Sequence, residues 1–199
     1  SCGPDGLSAI LIKDCAAELC IPLTIIINNS LTKGKFPSSQ KIAKVLPVFK
    51  KDDPTLAKNY RPISNLNTFS KILEKIVAKK LINFLIRSIR MNPNQHGFMA
   101  GKSTSSAMAD FLNAVYKNMD MQKSCVGLFI DLSKAFDLVN HNKLLAKLWH
   151  NGIRGVPWNW FESYLQNRQY YVEMDGVKSN LLTSNRGVPQ GSVLGPLLY

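Results

Sequence analysis

The chain has 199 residues, with 25 Lys and Arg against 13 Asp and Glu for a net charge of +12, and 45% of it is apolar. That composition excludes disorder, collagen and coiled coil, and a chain of this length buries about 70% of its unfolded surface without help from disulfides or metal. No run approaches the roughly 18 consecutive apolar residues of a membrane span; the best stretch, Ile21 to Ile27, is broken by Pro22 and Thr24, so no bilayer role is expected.

Along the chain, Pro4-Asp5-Gly6 reads as a turn, and Leu7 to Cys15 and then Leu19 to Leu31 as two helices, ended by Gly34 and Pro37. Val45 to Phe49 predicts a short strand whose Pro47 favours an edge. After a polar loop from Lys50 to Asn59 comes a second strand around Arg61 to Ser64, making the loop a hairpin tip. From Phe69, apolar residues recur at Ile72, Leu73, Ile76, Val77, Leu81, Phe84, Leu85 and Ile89, the spacing of one helix face. Lys71, Lys75, Lys79, Lys80 and Arg87 occupy the other face.

Asn92-Pro93-Asn94 stops that helix, and Ser103 or Thr104 caps the next, which runs to about Met119. The apolar run Cys125 to Ile130 predicts a buried strand that delivers Asp131 at its C-terminal end. Helices are expected from His141 to Trp149 and from Pro157 to Gln166. Gln169 to Met174 and Val177 to Thr183 flank Asp175-Gly176, a hairpin turn. Gly187 to Ser192 is a loop whose two glycines permit close backbone approach, with Ser192 positioned to cap a final helix. The mixture is α+β.

Between Lys33 and Lys102 stand 15 basic residues and three acids, while the rest of the chain carries ten of each sign. All the excess positive charge is therefore in one stretch, which suits a polyanion-binding face or, more blandly, a solvated surface. The four cysteines (Cys2, Cys15, Cys20, Cys125) form no CxxC pair and lie far from His96, His141 and His150. Neither a zinc site nor a secreted disulfide framework is indicated; buried free thiols in a reducing compartment are expected.

Three constellations carry possible chemistry. Asp131 at the end of a rigid strand suits a hard cation such as magnesium, although a lone acid there also serves as a cap or turn residue, as does Asp137. Lys50 and Arg61 on the two arms of a hairpin can clamp a triphosphate, Arg through its bidentate fork and Lys as a point charge, or can simply be solvated. Gln190, between flexible positions and beside Gly191, can contact a nucleotide's sugar or base.

Taken in order, these stretches resemble the fingers and palm of a reverse transcriptase of the non-LTR retrotransposon type, similar to jockey-like mobile elements. The matching residues are Gly3 to Gly6, Val45 to Lys51, Asn59-Tyr60-Arg61-Pro62-Ile63-Ser64, Ser70 to Lys75, His96-Gly97-Phe98 with Gly101 to Thr104, Phe129 to Asp137 with His141, and Gly187-Val188-Pro189-Gln190-Gly191-Ser192 with Leu194-Gly195-Pro196. The resemblance implies an α+β right-hand polymerase, with fingers at about 1–118 and 142–185 and a partial palm at about 119–141 and 186–199. It implies an RNA-directed DNA polymerase that takes deoxynucleoside triphosphates (dNTPs), an RNA template, a DNA primer and two Mg2+ ions. By the same resemblance Asp131 is the catalytic, metal-binding aspartate, facing one cavity with Arg61 and the amide of residue 190. Phe136 is the steric gate against ribose; Lys50, Arg61, Gln190 and Gly191 hold the dNTP; and Lys71, Lys75 and Lys79 contact template phosphates or form a solvated face.

Both chain ends read as cut. The family's second acidic motif, an aromatic-Ala-Asp-Asp turn, and its thumb have no counterpart before Tyr199, so a piece of the enzyme is expected, acting inside the cell and in the nucleus. The rival readings are a non-catalytic nucleic-acid-binding remnant and another right-hand polymerase, such as an intron-encoded maturase or a viral RNA polymerase, the last disfavoured by Phe136. Primer extension with magnesium is expected to fail with this chain alone and to appear once downstream sequence is restored. Extension by the chain itself would show that one acidic motif is enough.

Overall fold

A computed structural model describes residues 2–199. The chain divides into two compact units, one made of residues up to Leu81 together with Lys134–Tyr199, the other of Ile82–Ser133. All the fully buried apolar side chains among the described residues belong to the first unit.

The first unit begins with helices α1 (Ala9–Asp14) and α2 (Ala16–Lys33). Ser8 caps α1 by accepting the Leu11 N–H at 3.1 Å, and Gly34 ends α2 in the left-handed conformation, as its place after the periodic run predicts. Strands β1 (Ile42–Phe49) and β2 (Tyr60–Asn65) follow, then α3 (Thr68–Arg87), which continues past the boundary of the first unit. After the second unit come α5 (His141–His150), α6 (Val156–Leu165), strands β3 (Arg168–Met174), β4 (Val177–Lys178) and β5 (Leu182–Ser184), and the short helix α7 (Gly195–Leu198). The remaining helix, α4 (Thr104–Asp120), lies in the second unit.

The sheet is mixed. Its order is β2-β1-β3-β4, with β5 also pairing β3. β1 is antiparallel to β2 and parallel to β3, so it lies inside the sheet, as β3 does, and not at the edge expected from Pro47. Pro47 is nevertheless compatible with that place, because the ladder between β1 and β3 covers only Ile42 to Val45 and stops before Pro47. Toward β2, Pro47 stands opposite Pro62. The Lys50 N–H donates to Asn59 O at 2.9 Å, and counting back by alternation places the two prolines at a non-hydrogen-bonded pair, where neither needs a donor.

The core lies where α2 and α6 pack. Trp160 and Tyr164 stack at 5.6 Å, Phe36 meets both edge-on at 5.5 and 5.1 Å, and the Trp160 indole donates to Ser30 Oγ at 3.0 Å. α5 joins through the Trp158 indole, which donates to Leu145 O at 3.1 Å. Aromatic pairs of this geometry add to the area they bury.

Three expectations are corrected. Cys125 to Ile130 forms no strand, and it is exposed, with Val126 at 96% and Phe129 at 81%. A strand requires a neighbour for its N–H and C=O groups, and no described residue pairs with this segment. Val177 to Thr183 is not one strand either. The Ser179 N–H still donates to Val172 O at 2.9 Å, but its hydroxyl, a side chain in place of a backbone acceptor, takes the Val172 N–H at 2.9 Å, so regular pairing stops at Ser179 and returns at Leu182. The hairpin turn itself is as expected: Asp175 and Gly176 both have positive φ, 51° and 81°. The cysteines are unbridged, but none is buried, and Cys20 and Cys125 are exposed.

Trp160→Ala is expected to cost about 3–5 kcal/mol, and Cys20→Ala, on an exposed helix surface, under about 0.5 kcal/mol. Urea denaturation of both variants checks this; equal small losses would show that the α2–α6 cluster is not the core.

Candidate functional site

The site is built on the β1–β2 ribbon and on the loop that runs along its outer edge. Val48 stands opposite Arg61, and Lys50 lies two residues beyond Val48. Opposed residues share a face and side chains alternate, so Lys50 and Arg61 are diagonal neighbours on one face, roughly 7–8 Å apart. Both are exposed. The opposite face carries Phe49 and Tyr60, whose rings meet at 5.5 Å.

The loop from Gly187 to Ser192 is tied at several points. The Ser64 N–H, which points outward from β2, donates to Gln190 O at 2.7 Å. Gly191, at φ 119°, passes so close that a Cβ there would stand 2.6 Å from Ser64 O. Upstream, the Gly187 N–H donates to Val139 O at 2.7 Å and the Val188 N–H to Phe136 O at 2.9 Å. A Cβ on Gly187 would sit 2.8 Å from Asp137 O. His141 Nε2 lies 2.7 Å from Gly187 O; a carbonyl only accepts, so that nitrogen carries the proton. Downstream, Ser192 Oγ donates to Pro189 O at 2.8 Å and accepts the Gly195 N–H at 2.9 Å, but the N-cap of α7 is Leu194, without a side-chain bond, and not Ser192 as expected.

Glu74 completes the ties. It is fully buried in α3 and is an acid on the helix face that also buries Ser70, Leu73, Val77, Ala78 and Leu81. Its Oε2 accepts the N–H groups of Val193 at 2.8 Å and Leu194 at 3.2 Å, and its Oε1 accepts the Ser70 hydroxyl at 3.1 Å. Burial pushes the Glu74 carboxyl above the usual range, opposed first by the charge of Arg168 and then by the hydrogen bonds it receives. Arg168 is buried too; its Nη1 donates to Tyr164 O at 3.2 Å and its guanidinium lies 4.7 Å from the Tyr164 ring centre. Burial, with Glu74 nearby, raises the Tyr164 hydroxyl above its ordinary value.

A cavity of about 390 Å3 lies over the sheet face of Ala43, Val45, Pro62 and Ser64, walled by Asp137, His141, Arg186 and Gln190. Burial raises the Asp137 carboxyl, with Lys134 opposing. Pro62 and Ser64 alternate with Arg61, so Arg61 leaves β2 on the face away from this cavity.

Of the residues singled out from sequence, the first unit holds Lys50, Arg61, Phe136, Gln190 and Gly191. Phe136 also packs its ring 5.2 Å from Tyr199. Asp131 belongs to the second unit and is exposed. The described residues gather no group of three His, Cys, Asp or Glu side chains. One carboxylate does not by itself make the ligand set of a two-ion magnesium centre, so the residues present do not fit that group unaided. Among the three template lysines, Lys75 and Lys79 are exposed, while Lys71 is half-buried and bonded to Asn65 Oδ1 at 3.3 Å. Sequence reasoning passed over Glu74 and Arg168. The signal for Glu74 was its place in the apolar rhythm, four residues after Ser70 and three before Val77.

The family model described as reverse transcriptase (RNA-dependent DNA polymerase) matches residues 48–199. The chain is 34% identical over 199 residues to the RNA-directed DNA polymerase from mobile element jockey of Drosophila melanogaster, covering 98% of this chain and 21% of that protein. It is 32% identical over 201 residues to the probable RNA-directed DNA polymerase from transposon BS of the same species, covering 99% and 22%. Jockey of Drosophila funebris matches at 28% over 198 residues, covering 99% and 22%. The chain thus spans about a fifth of the length of these curated relatives.

Gly191→Ala is expected to cost about 1–3 kcal/mol, since it combines a strained φ with a clash against backbone. Gly6→Ala, where φ is 70° with nothing within 4 Å, isolates the conformational part at about 1 kcal/mol. Denaturant melts together with amide exchange at Ser64 read both; equal costs and an unchanged Ser64 amide would remove the close approach as the reason for this glycine.

Proposed function

The chain belongs to the reverse transcriptase (RNA-dependent DNA polymerase) family, and from that premise we propose that it supplies the nucleotide-gripping and template-facing part of an RNA-directed DNA polymerase of a mobile element. The observation that carries this reading is the join between the cationic ribbon and the Gln190 loop. The strand that presents Arg61 is the one whose Ser64 N–H holds Gln190. Main chain fixed on a sheet edge positions a ligand contact better than a free loop does.

In this reading Lys50 and Arg61 neutralise the triphosphate of the incoming deoxynucleotide from one face of the ribbon. Arg61 offers a fork and Lys50 a mobile point charge. Gln190 and the exposed main chain at Gly191 lie against the sugar or base, and Phe136 excludes a ribose 2′-hydroxyl by its bulk. Asp131 would be one carboxylate ligand of magnesium, which would supply charge neutralisation where its remaining ligands are present. The complete ligand set is proposed to include residues from the longer polypeptide. Lys75 and Lys79 track template phosphates, and the place of action is the nucleus.

A second reading has one observation in its favour. Asp131 is exposed on a segment without strand pairing, as suits a chain that binds nucleic acid without performing chemistry by itself. Binding and chemistry therefore need separate assays.

Affinity of the chain for an RNA–DNA hybrid should fall linearly on a log–log plot against salt, each neutralised phosphate adding roughly −0.9 to the slope. Lys75→Ala with Lys79→Ala should flatten that slope by up to about 2. Arg61→Ala should leave it alone and weaken dATP binding on the order of tenfold. A salt-independent affinity would end the template reading, and an Arg61 variant that binds dATP normally would end the clamp.

A further inference from the structure

The Gln190 loop is held to α3 by a residue that precedes it by more than a hundred positions. A carboxylate buried as fully as that of Glu74 is a poor way to fill a core, because an apolar side chain of similar volume there avoids the desolvation cost. What it provides is directional. Oε2 holds two successive N–H groups, those of Val193 and Leu194, while Oε1 is itself held by Ser70 one turn earlier on the same helix. Ser192 stiffens the turn internally through Pro189 and Gly195. The outside hydrogen bonds are those to Val139, Phe136 and His141 before Gln190, to Ser64 at Gln190, and to Glu74 after it. Without the last, the downstream end of the Gln190–Gly191 segment loses its anchor to the scaffold.

We propose that Glu74 is the positioning residue of the nucleotide grip. Its carboxylate sets how Gln190 and Gly191 lie along β2, and through them the affinity for a deoxynucleoside triphosphate that Glu74 itself does not touch. The inference rests on the nucleotide-binding reading above for its functional consequence and on the Val193 and Leu194 contacts for its structural part. The geometry also predicts a graded series. Glu74→Gln keeps the side-chain length and one oxygen for the two N–H groups but loses the charge that faces Arg168, whereas Glu74→Ala removes every tie.

The test uses the 199-residue chain, with amide exchange read by mass spectrometry and dATP binding titrated with magnesium present. Glu74→Ala is expected to speed exchange in residues 187–198 by about tenfold or more while β1 and β3 keep their protection, and to weaken dATP about tenfold. Glu74→Gln should fall between it and the wild type in both. Unchanged loop exchange, or equal loss of protection across β1, β3 and the loop, would reduce Glu74 to an ordinary core residue and overturn the proposal. If the Ala variant does not fold, the Gln variant decides alone: faster exchange confined to 187–198 supports the proposal, and wild-type exchange overturns it. If the wild-type chain binds no dATP, the nucleotide reading fails by itself, and the exchange data still decide whether Glu74 positions the loop.

Discussion

The two-sided pairing of β1 is the constraint on which the first unit depends. Ile42 and Ala43 pair with β3, Lys44 and Val45 with both β3 and β2, and Leu46 to Phe49 with β2 alone. That asymmetry makes the first half a buried floor, with Ala43 and Val45 in the core, and leaves the second half as a ribbon with exposed cations. It also explains how an interior strand tolerates Pro47, whose missing donor falls beyond the ladder with β3. β2 inherits its position from β1, and the outward N–H of Ser64 then becomes the seat for the Gln190 loop.

The second organising element is polar and buried. Glu74 and Arg168 are both removed from water without a direct salt bridge, and Tyr164 lies with them. Such a group is stable only when its lone pairs and protons are largely used. Glu74 meets this condition through the backbone of the loop at the heart of the candidate site. Arg168 meets it only in part, with Nη1 on Tyr164 O and the guanidinium 4.7 and 5.7 Å from the Tyr164 and Phe36 ring centres, while its buried Nη2 has no hydrogen-bond partner among the described residues. The same contacts that make the buried carboxylate tolerable therefore connect α3, the aromatic core and the loop. Specificity of arrangement is what an apolar core of equal volume would not provide.

For a member of the reverse transcriptase family, this division has a functional logic. Recognition of a triphosphate requires cations that remain solvated until the ligand arrives, and Lys50 and Arg61 are exposed. Recognition of the rest of a nucleotide requires a surface that does not move, and the Gln190 carbonyl is held by Ser64 in a loop tied by Val139 and Phe136 before it and by Glu74 after it. Charge thus sits on the mobile side chains of an open ribbon, and shape on a tied main chain. The glycines at 187 and 191 are required because neighbouring carbonyl oxygens stand where side chains would begin.

Local sequence determined much of the first unit. The Gly34 end of α2, the cap at Ser103 in the second unit and the Asp175-Gly176 turn depend on a few neighbouring residues, and the structure follows them. The ordered motifs also identified the family, because they report chemistry shared across its members. Tertiary structure alone decided the rest. Cys125 to Ile130 has the composition of a strand but lacks a hydrogen-bonding neighbour among the described residues, and no local pattern supplies one. Ser179 diverts a strand by a bond to Val172 that its own neighbours do not announce. The place of Glu74 beneath a loop far along the chain, the outward donor of Ser64 and the alternation that sends Arg61 away from the cavity depend on which segments pair. Pairing is a property of partners, and a sequence read along its length shows each partner separately.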